Sequence, residues 1–142
     1  MILLDTDHLT ILSFRESERY VRLRARMTAS SDQDFATTIV NAEEQMRGWL
    51  AKINRLRKVH QQIPAYELLR ELVDSLGEFS LIPFDARAAD EFDLLRKAKV
   101  RIGSMDLKIA CIALVHNVLL LSANLRDFQQ VPGLRVENWL EE

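Results

Sequence analysis

The chain has one cysteine, Cys111, inside the apolar run IACIALV. With no second thiol there is neither a disulfide framework nor a CxxC metal pair. A small buried core residue is the simpler reading. Three prolines and four glycines in 142 residues leave no linker and no low-complexity tract. One domain over residues 1–142 is expected. No apolar run approaches the roughly 20 residues that span a bilayer, so no membrane partner is expected. The N-terminus has no basic region followed by a long apolar stretch, so no secretory leader is expected and a reduced cytoplasmic location is. Nor is there an excess of charge: 19 basic residues meet 21 acidic ones, for a net −2. That balance sets up no field that announces a nucleic-acid partner, although a local basic face remains compatible with it.

What is present is ordinary globular material, 48% hydrophobic and 28% charged, in a chain long enough to bury a core. MILL reads as a strand without alternation, buried on both faces as in a parallel sheet. A helical stretch around Leu9–Phe14 and the helix formers of ESERYVRLRARMTAS follow. DFATTIV is β-branched enough for a second strand. NAEEQMRGWLAKINRLRKVHQQ then places Ala42, Met46, Trp49, Ile53 and Leu56 on one helix face, with Asn41 as N-cap. Ile63-Pro64 is read as a break, before a partner helix with Leu69, Leu72, Val73 and Leu76 inward and Gly77 as its stop. The two form a helical hairpin. FSLIPF, NVLLLSAN and an edge-like LRVENW supply three more strands. Helices begin at a capping Asp85 and at Ser104. Strands alternating with helices predict an α/β layered fold with a mainly parallel sheet.

Groups at the carboxyl ends of parallel strands converge on one crevice. Asp5 ends the first strand, Glu44 follows the second, Asp106 opens the helix begun by Ser104, and Asn124 and Asp127 follow NVLLLS. Favourable placement in a first helical turn would by itself explain Glu44 and Asp106. Asp5 is different, because a carboxylate abutting a buried strand must be paired or hydrogen-bonded. Clustered carboxylates with few histidines and no thiol pair suit Mg2+, or Mn2+, rather than zinc. Such an ion activates water and neutralises charge on a phosphodiester. Of the three histidines, His60 and His116 read as solvated, and His8 lies near enough to Asp5 to be weighed as a substrate contact.

With these residues in place, the sequence resembles PIN-domain proteins, specifically VapC-type toxins of type II toxin–antitoxin pairs. MILLDTDHL resembles the family's opening strand and Leu-Asp-Thr-Asn, with Asp7 standing where Asn is commoner. IVNAEEQMRG resembles the segment with a Glu four residues before a Gly, which selects Glu44 over Glu43. IGSMDLKIACIAL resembles the Asp-Leu-x-Ile-Ala helix start and selects Asp106. SANLRDFQQVPGLRVENW resembles the closing stretch, with Asn124 and Asp127 both candidates for its last site position. The resemblance implies a three-layer α/β/α sandwich with a helical hairpin. It also implies a Mg2+-dependent endoribonuclease acting on a structured cellular RNA, with Asp5, Glu44 and Asp106 at the metal. A VapB-like antitoxin and homodimerisation are implied as partners.

Two other readings compete. Asp-x-Asp after a strand also resembles haloacid-dehalogenase-like phosphatases, but no Gly-Asp-x-x-x-Asp stretch occurs and His8-Leu9 replaces the usual small turn. A non-catalytic PIN-fold binding module with a degraded site is kept open by the neutral Asn124. For RNA, Arg47, Lys52, Arg55, Arg57 and Lys58 form the candidate basic face, equally readable as a solvated helix surface. Trp49 is read as core, and the hairpin as an edge for a subunit or antitoxin.

Overall fold

The computed structural model describes residues 1–141. β1 (Ile2–Leu4) is followed by α1 (Thr6–Ile11), α2 (Glu18–Ala29) and β2 (Phe35–Thr38). Next come α3 (Ile39–Arg55), α4 (Val59–Leu76), β3 (Leu81–Ile82), α5 (Ala86–Lys97) and α6 (Ser104–His116). β4 (Leu119–Leu121), α7 (Leu125–Phe128) and β5 (Val136–Glu137) complete it. The strands form one sheet in the order β3-β2-β1-β4-β5, and every pairing is parallel. The sheet is thus parallel throughout, where a mainly parallel one is expected.

The apolar run at the N-terminus is central because both of its faces are covered. Leu3 points into a core shared with Leu120, Ala36 and the apolar side of α6. Ile2 and Leu4 point the other way, against Leu9, Leu23, Met27, Leu121 and Leu140. Alternate residues of one strand therefore feed two cores, which makes the three layers. Chain order reverses direction between β1 and β4, so the switch point of the sheet lies at the ends of those two strands. Among the described residues no helix is long and apolar enough to cross a membrane. Cys111 is fully buried, and burial pushes its thiol up to about 12, so it is inert core.

Several local expectations shift. α1 begins at Thr6, not near Leu9, because the Asp5 carboxylate accepts the Thr6 N–H at 2.9 Å and caps it. Ile39 and Val40 belong to α3, whose N-cap is Thr38 and not Asn41. The hairpin bends at residues 56–58 and not at Ile63-Pro64. There the Gln62 amide donates to the carbonyls of Ile53 and Leu56 (3.2 and 2.9 Å), satisfying the last turn of α3. Pro64 falls six residues into α4 and forfeits one backbone donor without ending the helix. Gly77 does stop α4, but in right-handed conformation (φ −64°). Asp85 caps α5 as expected, accepting the Ala88 N–H at 3.0 Å. Met46 and Val73, placed inward from periodicity, are exposed, while Ala65 is buried instead. The rest of the expected inward face of α4 holds, with Leu76 buried and Leu69 and Leu72 half-buried, while Val59, Ile63, Tyr66 and Val73 face solvent.

Candidate active site at the sheet edge

Asp5 sits at the carboxyl end of β1 and is 6% exposed, so each oxygen needs a partner. Oδ2 accepts the Ser122 hydroxyl at 2.7 Å from the end of β4. Oδ1 accepts the Asn41 amide at 2.8 Å from the start of α3, as well as the Thr6 N–H. Asn41 is itself oriented by Thr38: the Thr38 hydroxyl donates to its Oδ1 at 2.7 Å and accepts its backbone N–H at 3.1 Å. All the donors are neutral. Burial pushes the Asp5 carboxyl up, the Ser122 hydrogen bond opposes this, and the charge of Asp7 adds to it; the net direction is upward.

Glu44 lies in the second turn of α3, one turn further in than a dipole-capping role requires. The Thr6 hydroxyl donates to its Oε1 at 3.2 Å. Burial, then the charges of Asp5 and Asp106, push it up to about 7. Asp106 is in the first turn of α6 and is raised in the same way, by burial and by the charges of Asp5 and Asp127. The Asn124 amide donates to Asp106 Oδ2 (3.2 Å) and to Asp127 Oδ2 (3.1 Å), bridging the two acids. Asn124 and Asp127, the two candidates for the last site position, are thus hydrogen-bonded to each other beside Asp106.

Asp5, Glu44 and Asp106 thus share one sheet edge and act on one another electrostatically. The expectation from the sequence is that these three acids lie within reach of one metal ion at this edge. Among the described residues, no group of three His, Cys, Asp or Glu side chains is arranged to hold an ion. Each acid is hydrogen-bonded to a neutral donor: Asp5 to Ser122 and Asn41, Glu44 to Thr6, and Asp106 to Asn124. The donor set still fits a hard cation. Mg2+ is usually held through one or two carboxylates while retaining several waters, so a closed cage is not required. Among the described residues, the hydrogen-bond donors to these three carboxyls are the neutral Ser122, Asn41, Thr6 and Asn124.

Asp7 behaves differently. Burial pushes it up, but the hydrogen bonds from His8 and from the Ala123 N–H (2.8 Å) outweigh that and hold it below its ordinary value. His8 does not face substrate: it is fully buried, between Asp7 at 2.6 Å and the Trp139 N–H at 3.1 Å. His60 and His116 are exposed, as expected. The residues sequence reasoning missed are Asn41, taken for a helix cap, and Ser122 and Thr6. The available signal was chemical: a buried Asp5 demands donors, and these are the neutral donors next to the strand ends. Arg47, Lys52, Arg55, Arg57 and Lys58 are all exposed. Trp49 is half-buried with the Lys52 ammonium 4.9 Å over its ring.

A five-stranded parallel sheet in the order 3-2-1-4-5, with carboxylates gathered across its switch point, defines an α/β protein with an acidic edge site. The PIN domain family model matches residues 2–134, and the chain belongs to the PIN-domain family. It is 29% identical over 119 residues to Ribonuclease VapC of Rickettsia bellii, an alignment covering 81% of this chain and 83% of the relative. Ribonuclease VapC1 of Haemophilus influenzae (strain R2866) is 36% identical over 81 residues, 56% of this chain and 58% of that one. Among solved structures, FitAcB of Neisseria gonorrhoeae superposes with a TM-score of 0.69 at 23% identity, covering 100% of both chains. The DNA-bound VapBC2 of Rickettsia felis gives 0.67 at 22% identity, over 98% of this chain and 99% of that one. The haloacid-dehalogenase-like reading, which rested on the first seven residues alone, gains nothing from any of these.

Proposed function

We propose that this protein is a Mg2+-dependent endoribonuclease, the toxin of a VapBC-type pair, and that it hydrolyses phosphodiesters of a structured cellular RNA. The observation that carries the reading is the convergence of three carboxyls from separate chain segments, Asp5, Glu44 and Asp106, on one sheet edge at the switch point, each raised by burial and by neighbouring acids. The ribonuclease names of the relatives point the same way.

In this reading Asp5, Asp106 and Glu44 hold the ion. When bound, it supplies a water of lowered pKa and neutralises charge growing on the phosphate. The protein's own residues prepare that site. Ser122 and Asn41 fix both oxygens of Asp5, so the carboxylate is aimed before any ligand arrives. Asn124 spaces Asp106 from Asp127. Glu44, whose carboxyl is pushed up to about 7 by burial and by the charges of Asp5 and Asp106, would have to be deprotonated to hold the ion. The exposed Arg47, Lys52, Arg55, Arg57 and Lys58 on the hairpin offer phosphate contacts that anchor RNA beside the acids.

A VapB-like antitoxin has a place to sit. An apolar groove of about 510 Å³ lies between α1 and the hairpin, with Leu9, Phe14, Trp49, Leu68 and Leu72 in its wall. The exposed Val59, Ile63, Tyr66 and Val73 of α4 form a stripe suited to a second subunit. The test is cleavage of total RNA in excess Mg2+ and in chelator, alongside thermal melting with and without the ion. Mg2+-dependent cleavage and a raised melting temperature are expected. A protein that Mg2+ neither stabilises nor activates would be a binding module of PIN fold.

A further inference from the structure

The bonding around Asp7 continues past the acids and ends at the other end of the chain. His8 is completely buried, and both ring nitrogens are engaged. Nε2 lies 3.1 Å from the backbone nitrogen of Trp139, whose N–H can only donate, so Nε2 is the bare nitrogen. The ring proton therefore sits on Nδ1, 2.6 Å from Asp7 Oδ1, and is donated there. The other Asp7 oxygen accepts the Ala123 N–H at 2.8 Å and lies 3.4 Å from the Ser122 hydroxyl. Residues 122–124 form the turn whose first member donates to Asp5 and whose last bridges Asp106 and Asp127. On the far side, α2 pins the segment around Trp139. Arg22 donates to the Leu140 carbonyl (2.6 Å), Arg26 donates to the Asn138 carbonyl (3.3 Å), and the Arg26 guanidinium lies 5.1 Å over the Trp139 ring.

We propose that His8 is a positioning residue. Held by the Trp139 N–H, it fixes Asp7 through Nδ1, and Asp7 fixes the 122–124 turn that aims Asp5 and Asp106. The C-terminal segment is thereby part of the site's support without touching substrate. Packing alone would not require this arrangement. An apolar side chain could fill the volume, and Asp7, a third exposed, has solvent available as an alternative partner. The inference rests on the nuclease reading for its activity readout only.

Two substitutions separate the links. In His8→Asn the amide reaches the place of Nδ1 and can still donate to Asp7, while the Trp139 N–H loses its acceptor. In His8→Gln the amide reaches the place of Nε2 and can still accept from Trp139, while Asp7 loses its donor. Each loses one hydrogen bond, the buried one from the Trp139 N–H in His8→Asn and the part-buried one to Asp7 in His8→Gln, so the Asn variant is expected to melt no higher than the Gln variant. A positioning role predicts that the Gln variant loses on the order of tenfold in kcat, from a charge-assisted bond, while the Asn variant stays close to wild type. Equal activities, or losses that simply track melting temperature, would overturn it. Should neither variant fold, the tautomer decides: nitrogen-15 NMR of the wild type must show the proton on Nδ1, and a proton on Nε2 would refute the scheme. If the wild type cuts no RNA, the nuclease reading fails by itself. Mg2+ affinity then judges His8, with weaker binding by the Gln than by the Asn variant expected and equal binding overturning the role.

Discussion

The two corners of the acidic edge are built on opposite terms. Around Asp5 and Asp7, each oxygen has a named donor, from Ser122, Asn41, Thr6, His8 or Ala123. Around Glu44, Asp106 and Asp127, charges face one another across a single amide and a single hydroxyl. The first corner is rigid because a buried carboxylate with unfilled lone pairs is costly, and the fold supplies fully buried Asn41 and Ser122 to avoid that. The second is left short of positive charge. A site of this kind holds its geometry on one side and its demand for a ligand on the other, and substitutions on the two sides should fail in different ways.

The largest expected effect lies in the rigid corner. Asp5→Asn should reduce RNA cleavage by on the order of a thousandfold, since several kcal/mol of charge stabilisation leave with the carboxylate. The fold should survive. Asn oxygen can still accept from Asn41 and Thr6, and its amide can donate to the Ser122 oxygen if that hydroxyl turns to Asp7 Oδ2, 3.4 Å away. One negative charge also leaves a repelling cluster, so the metal-free variant should melt no lower than wild type. A variant that melts well below wild type yet cuts RNA at a near-normal rate would make Asp5 a structural acid.

The responsive corner should show itself in pH dependence. Glu44 is held up to about 7 against an ordinary 4.5, so between those values the folded chain binds this proton more tightly than the unfolded one. Stability of the metal-free protein should then fall as pH rises from about 4.5 to 7. Asp5 and Asp106 are shifted the same way. Asp7 works in the opposite sense, stabilising above its unfolded value and losing that contribution in acid. Melting curves in chelator should decline from pH 5 to 8, and Glu44→Gln should flatten the decline by several degrees. Mg2+ should reverse it, because ion and proton compete for the same carboxyl. Calorimetric titration in buffers of different ionisation enthalpy should show proton release near pH 7 that Glu44→Gln abolishes. Release unchanged in that variant would place the competing proton elsewhere.

The same contrast explains what could be read without coordinates. MILL and NVLLLS betray central strands because a strand buried on both faces has no polar alternation to hide it, and their ends fixed where Asp5 and Asn124 would fall. Asp106 and Asp85 follow from helix starts, which are local. The rigid corner was least legible, since its bonds join residues 36, 117 and 131 positions apart and no periodicity encodes a partner. In the sequence Asn41 reads as a helix cap and His8 is weighed as a substrate contact, and the tertiary structure gives both a buried hydrogen-bonding role instead. The hairpin misled through Pro64: a proline six residues into a helix gives up one bond, whereas the break at 56–58 is made by Gln62 reaching back across the turn.

The smallest effect, and the one that sharpens the comparison most, concerns Asn124. Its amide donates to Asp106 at 3.2 Å and to Asp127 at 3.1 Å, so it is a neutral group set between two acids. Asn124→Ala removes both donors and leaves the charges to face each other through water, since both acids are only partly buried. The loss should be on the order of 1 kcal/mol without metal, within the range for a modest pair of hydrogen bonds. Asn124→Asp should cost more, because it replaces a donor with another negative charge. The two variants part company when Mg2+ is added. The Ala variant gains nothing that the wild type does not, whereas the Asp variant adds an acidic oxygen beside Asp106, so its larger deficit should be recovered by the ion. Melting both proteins across a Mg2+ series measures this directly. If the Asp variant is destabilised equally with and without the ion, Asn124 lies outside the cation's reach, and the bridge serves only to keep Asp106 and Asp127 apart.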